Sequence, residues 1–169
     1  DEWDHALWSS LALEFLARGA LANVSPTLLV DPKSSWQGLY HALGFEPTEP
    51  KYVPHSISIK EVLKRLTVIV PAFSSEHENF CVEHTGKRNA ELHSGEAAFE
   101  TLKAGSWQPQ YFEASQVLLL SMGLKLEDLF GKAEAKASQK LIDAHKDQSA
   151  KSVVTDVKAH KAAWKAKAK

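Results

Sequence analysis

Ser58-Ile59-Lys60-Glu61-Val62-Leu63-Lys64-Arg65-Leu66-Thr67-Val68-Ile69-Val70-Pro71 is the stretch on which the fold turns. Its end, Thr67 to Val70, is a β-branched run of the kind strands use. The residues before it point the other way. Ile59, Val62, Leu63, Leu66, Ile69 and Val70 recur at i, i+3 and i+4, which is one face of a helix. Ser58 followed by Glu61 is a capping box, and Pro71 cannot continue a helix. The spacing therefore predicts a helix that stops at Pro71, and no convincing pair of strands remains elsewhere.

Working outward, residues 4–22 predict a first helix, with Leu7, Leu11, Phe15, Leu16 and Ala20 on a 3.6 period. Ser25-Pro26 and Asp31-Pro32 break the chain. Ser35 is placed to cap a short helix from Trp36 to Leu43 that closes at Gly44. Residues 45–57 carry Pro47, Pro50 and Pro54 and predict an irregular loop. Downstream, Ser75-x-x-Glu78 is a second capping box, opening a segment through Phe80, Cys81 and Val82. Thr85-Gly86 is a point of interruption, with the segment resuming from Arg88 to about Leu102. A helix from about Gln108 to Met122 follows, with Pro109 in its first turn and Gly123 past its end. A short turn, Leu126 to Phe130, closes at Gly131. From Lys132 the chain is rich in Ala and Lys without Gly or Pro, which predicts one long helix to near Lys169. The expected fold is an all-α, up-and-down helical bundle over residues 1–131, with a basic C-terminal helix over 132–169 that packs on the bundle or leads to a partner.

Composition narrows the class. The chain has 169 residues, 44% hydrophobic and 24% charged, as in a soluble globular domain with a real core. No apolar run approaches a bilayer span, so no membrane is expected. Asp1-Glu2-Trp3-Asp4 is an acidic start unlike a signal peptide, and a start other than Met fits a trimmed or processed chain. One cysteine, Cys81, allows no internal disulfide and fits a reducing, cytoplasmic setting. Net charge is −1 but uneven: residues 132–169 hold 10 Lys and 4 Asp/Glu, whereas residues 1–131 hold 10 Lys/Arg and 17 Asp/Glu. A basic tail can meet nucleic acid, although scattered helix lysines more often face water.

The chemistry concentrates in Arg88-Asn89-Ala90-Glu91-Leu92-His93. Arg offers a fork for phosphate oxygens, and His moves protons near neutral pH. On a helix Asn89 and His93 share a face at i and i+4, and Arg88 sits about 100° from Asn89. This Arg, polar residue, three residues, His pattern on the third long helix resembles the signature of the HEPN domains, a family of small helical bundles. Ser94-Gly95, the step Ala12-Leu13-Glu14 on the first helix and the apolar helix after the motif add to the resemblance, which covers roughly residues 4–131.

The resemblance implies a metal-independent endoribonuclease needing no cofactor and working as a homodimer, in which two motif helices build one composite site. It implies His93 as the proton-transfer group, Arg88 as the stabiliser of phosphorane charge, and Asn89 as an orienting group. Products would carry 2′,3′-cyclic phosphate and 5′-hydroxyl ends. The implied setting is a bacterial defence or toxin system under control of a regulatory protein or second domain. Two alternatives stand: a catalytically idle HEPN-like dimerisation or RNA-binding module, and an unrelated helical interaction protein.

Three further groups bear on the site. Ser10, Glu14 and Arg18 form an i, i+4, i+8 polar stripe on an apolar helix. Glu14 either holds Arg88 or His93 in place or pairs with Arg18 at the surface. His77, Cys81 and His84 lie at i, i+4 and i+7, a spacing that could present zinc ligands but lacks a second pair, so no metal is expected. Trp36, Tyr40, Tyr52, Trp107, Tyr111 and Phe112 could stack on bases, though such residues more often pack a core.

Overall fold

A computed structural model describes residues 2–33, 36–100 and 102–167. It is all-helical: α1 (Glu2–Val24), a 3₁₀ turn (Pro26–Leu29), α2 (Trp36–Ala42), α3 (Ile59–Ile69), α4 (Ser75–Ser94), α5 (Ala104–Ser121) and α6 (Leu126–Lys167). Among the described residues the only β pairing is an isolated bridge between Val30 and Ser56. α1 packs against α3, α4 and α5, α3 packs on α4, and α5 lies between α4 and α6. Ring contact between His84 and Trp107, and the approach of His77 to Glu113, make α5 antiparallel to α4. Gln116 with Gln139 and Glu113 with Lys146 make α6 antiparallel to α5 in turn.

The decisive stretch is helical to Ile69, with Ser58 Oγ accepting from the Glu61 backbone N–H at 3.3 Å. Val62, Leu63 and Leu66 are fully buried. A strand would have sent Leu63 and Val62 to opposite sides; the helix buries both. Ser25 caps the 3₁₀ turn after α1. Gly44, Gly123 and Gly131 all take positive φ at the expected break points. Gly131, at φ 76 and ψ 161, separates the short turn Leu126–Phe130 from the long remainder of α6. That backbone region is open essentially to glycine alone. The expected cap Ser35 lies outside the described residues.

Several local expectations need correction. The buried face of α1 is Ala6, Ser9, Ser10, Leu13, Ala17, Ala20 and Leu21; of the expected row Ala20 is in the core and Leu7 and Leu16 pack against it, whereas Leu11 is only half-buried and Phe15 is 72% exposed. α1 is apolar on both sides, so periodicity alone placed the face part of a turn away from the buried one. The cap of α4 is Ser74, not Ser75: Ser74 Oγ accepts from the His77 N–H while His77 Nδ1 accepts from the Ser74 N–H at 3.0 Å. Thr85-Gly86 does not interrupt α4, because Thr85 is buried and its hydroxyl donates to the Cys81 carbonyl at 2.7 Å. α4 ends at Ser94 rather than near Leu102, with Gly95 left-handed at φ 70. α5 starts at Ala104, four residues before the expected Gln108, so Pro109 stands inside the helix. The Gly105 carbonyl that Pro109 leaves unbonded is at the exposed helix start, where water reaches it.

The core is built from Leu13, Leu21, Leu63, Leu66, Phe73, Phe99, Trp107, Tyr111, Phe112, Leu118 and Ile142. Ser138 and Ile142 anchor the first half of α6 on this core, and every described residue from Lys146 to Lys161 is exposed. No helix among the described residues is long and apolar enough to cross a membrane.

Candidate functional site

Arg88, Asn89 and His93 lie in the C-terminal half of α4. The helix separates them as their spacing requires. Arg88 turns inward against α1 and is 8% exposed, whereas Asn89 and His93 face solvent. A buried guanidinium needs a counter-charge. Glu14 supplies it from α1, with Oε2 at 2.8 Å from Arg88 Nη2.

The other oxygen of Glu14 is also occupied. Oε1 accepts from Arg18 Nε at 3.0 Å and Arg18 Nη2 at 2.7 Å. Arg18 in turn donates through Nη1 to Ser56 Oγ at 2.9 Å and to the Ile57 carbonyl at 3.1 Å. One carboxylate thus ties α4, α1 and the segment entering α3. Both alternatives weighed for Glu14, holding Arg88 and pairing with Arg18, occur together. Burial alone would raise the Glu14 pKa, but hydrogen bonds and charge from Arg18 and Arg88 outweigh it and hold the carboxyl below its ordinary value.

Arg88 Nε donates to Asn89 Oδ1 at 3.1 Å. The Asn89 amide therefore steadies the guanidinium rather than His93. Arg88 Nη1 has no hydrogen-bond partner among the described residues, which leaves two donors for an incoming oxyanion. Next to the motif, Glu91 Oε1 accepts from Trp3 Nε1 at 3.1 Å and from the Phe99 backbone N–H at 2.9 Å. Glu91 thereby fastens the chain that leaves α4 to the start of α1. Sequence reasoning passed over this residue, since its partners are 88 and 8 positions away.

One turn below Arg88, His84 is buried at 2% exposure among Phe80, Phe99 and Trp107. Its Nε2 lies 2.9 Å from Ser9 Oγ, and the Ser9 hydroxyl itself donates to the Ala6 carbonyl at 2.8 Å. The Ser9 proton is thus already placed, and the imidazole is the donor to Ser9 Oγ. That polarity makes the pair a packing element and leaves Ser9 without a base. Burial, with a smaller push from Lys87, lowers the His84 pKa to about 4, so the ring is neutral near pH 7.

The zinc geometry does not assemble. His77 Nδ1 is committed to the Ser74 cap, Cys81 is fully buried with its thiol pushed up to about 12, and His84 is held by Ser9. Among the described residues no group of three or more His, Cys, Asp or Glu could hold a metal ion. The aromatics divide: Trp107, Tyr111 and Phe112 are core, while Trp36 and Tyr40 are exposed on α2, away from α4. No family model, curated protein or solved structure matches the chain, so the site is read from its own geometry.

Proposed function

We propose that this helical bundle is a metal-independent endoribonuclease that works as a homodimer, with Arg88, Asn89 and His93 of each copy forming half of a composite site. The observation that supports the reading is a guanidinium fixed on two sides, by Glu14 and Asn89, with Nη1 left to donate, five residues along the same helix from an exposed imidazole. A fixed fork beside a mobile proton carrier is what phosphodiester transesterification requires.

The chemistry balances with these groups alone. His93 of one copy takes the proton of a ribose 2′-hydroxyl as that oxygen attacks the adjacent phosphorus. The bond from phosphorus to the 5′-oxygen breaks, and His93 of the second copy protonates the leaving oxygen. Arg88 Nη1 donates to the non-bridging oxygens as their charge builds. The products are a 2′,3′-cyclic phosphate and a 5′-hydroxyl, and DNA, without the 2′-hydroxyl, is not cut. A cytoplasmic defence or toxin role, under a regulatory partner, belongs to the same proposal.

The test is cleavage of a mixed RNA by the purified chain, with product ends mapped and mass measured by sedimentation. Arg88→Ala and His93→Ala are expected to remove cleavage while leaving the dimer. Cleavage by His93→Ala at the parental rate sinks the reading.

A further inference from the structure

The site described above is poor in free positive charge. All three arginines of the chain are held by carboxylates: Arg18 and Arg88 by Glu14, and Arg65 by Glu61. Lys87, beside the motif, pairs with Glu83 at 3.1 Å. Residues 1–131 carry 17 acidic against 10 basic side chains. A polyanion approaching His93 would meet a net negative body, and long-range attraction has to come from elsewhere.

α6 holds that charge, and it holds it at the right height. Glu113 of α5 touches both neighbouring helices, with Oε1 4.0 Å from His77 Nε2 on α4 and 3.1 Å from Lys146 Nζ on α6. α4 and α6 are therefore level at this point, and both are antiparallel to α5, so they climb in the same sense. From His77, a rise of about 24 Å reaches His93. From Lys146, the same rise of about 24 Å passes Lys158 and Lys161.

The lysines also share a side. At 100° per residue, Lys136, Lys140, Lys151, Lys158 and Lys161 fall within a wedge of about 80°, well away from Ser138 and Ile142, which face the bundle. All five are exposed. Asp143 and Asp147 share the lower part of this row; above Asp147 it carries Lys151, Val154, Lys158 and Lys161 and no acidic residue among the described side chains. Lys151, Lys158 and Lys161 have no ion pair among the described residues.

We propose that the face of α6 turned away from the bundle, bearing Lys151, Lys158 and Lys161, is a phosphate-binding arm that captures single-stranded RNA at the level of the motif end of α4. The inference rests on the RNA-cleaving reading for its choice of polyanion, and it adds the element that captures the strand. The lysines act as point charges on phosphates, so the arm does not read sequence or sugar.

The experiment uses the full chain and a fluorescent 2′-O-methyl RNA of about 20 nucleotides, which binds but cannot be cut. Anisotropy titrations across a salt series compare the parent, Lys151→Gln/Lys158→Gln/Lys161→Gln, and a control, Lys33→Gln/Lys60→Gln/Lys64→Gln, with equal charge removed from the body. The arm variant is expected to lose at least tenfold in affinity and about 2 from the slope of log affinity against log salt. The control should bind as the parent does, and DNA of the same length should bind the parent as tightly as the RNA. Equal losses in both triples, or none in the arm triple, overturn the proposal; in the latter case an acidic protein becomes the occupant. Cleavage of ordinary RNA is scored separately. A parent that binds through the arm but cuts nothing refutes the nuclease reading and leaves the arm standing.

Discussion

Glu14 Oε2 stands 2.8 Å from Arg88 Nη2, joining α1 to the motif helix by an ion pair whose arginine is almost wholly buried. Glu14 shares its other oxygen with Arg18, so one carboxylate satisfies two guanidinium groups. Removing the charge leaves Arg88 buried beside an amide.

Glu14→Gln is therefore expected to destabilise the fold by about 1–3 kcal/mol, the cost of a buried charged group left without its partner. If Arg88 acts as proposed, cleavage falls by about tenfold or more from lost alignment alone. Arg88→Lys should not restore it, since an ammonium cannot reproduce the fork. Thermal melts with cleavage assays check both points, and unchanged values for Glu14→Gln would remove Glu14 from the site.

His84 makes stability depend on pH in a defined window. Its folded pKa is about 4 against an ordinary value of 6.5, so between these values the unfolded chain binds more protons. Stability is complete above pH 6.5, falls as pH drops toward 4, and the loss amounts to about 3 kcal/mol at most. Glu14 acts in the same direction but lower, because a carboxyl with a lowered pKa loses its contribution only below its ordinary 4.5. Denaturant titrations at pH 7.5 and 5 measure the difference; equal midpoints refute it.

At the start of α4, Ser74→Ala should cost about 1 kcal/mol and Ser75→Ala much less. The two serines are adjacent, both exposed and identical in chemistry, so the contrast isolates the cap. A larger loss from Ser75→Ala would return the cap to the position sequence spacing favours.

Cys81 should resist thiol reagents in the native state. It is fully buried, and its thiol is pushed up to about 12, so thiolate is scarce at neutral pH. Labelling should follow the opening of the core, with added denaturant accelerating it. Rapid labelling of the folded chain contradicts the packing of α4.

Much of the architecture was legible because it depends on local chemistry. Ser58 and Pro71 bounded α3, and Gly44, Gly123 and Gly131 marked ends that need a positive φ. The errors arose where local signals were degenerate. Ser74 and Ser75 offer the same hydroxyl, and only the placement of His77 decides between them. Trp8, Leu11 and Phe15 make the outer side of α1 as apolar as its inner side, so period could not say which would be covered. Gly95 ended α4 earlier than expected, since a lone glycine reads equally as a tolerated residue or a stop.

The site was legible to a lesser degree. Spacing placed Asn89 and His93 on one side with Arg88 at the edge, and the Arg88–Glu14 pair fits one of two readings of the α1 stripe. The direction of the Asn89 amide, the Glu91 clasp and the Ser9–His84 contact all join residues through side-chain reach or across distant helices. No pattern in a single chain encodes those distances.

The stacking of His84 on Trp107, with ring centroids 5.0 Å apart, has an optical consequence. Of the five tryptophans only Trp107 is buried; Trp3, Trp8, Trp36 and Trp164 all meet solvent. Blue-shifted emission from the folded chain must then come from one indole, and that indole touches two imidazoles, the buried His84 and, at 5.1 Å between centroids, His5. An imidazolium quenches indole fluorescence where a neutral ring does so weakly. The chain carries its own lamp and dimmer, and an acid titration in a fluorimeter reads imidazole protonation around Trp107 without any label.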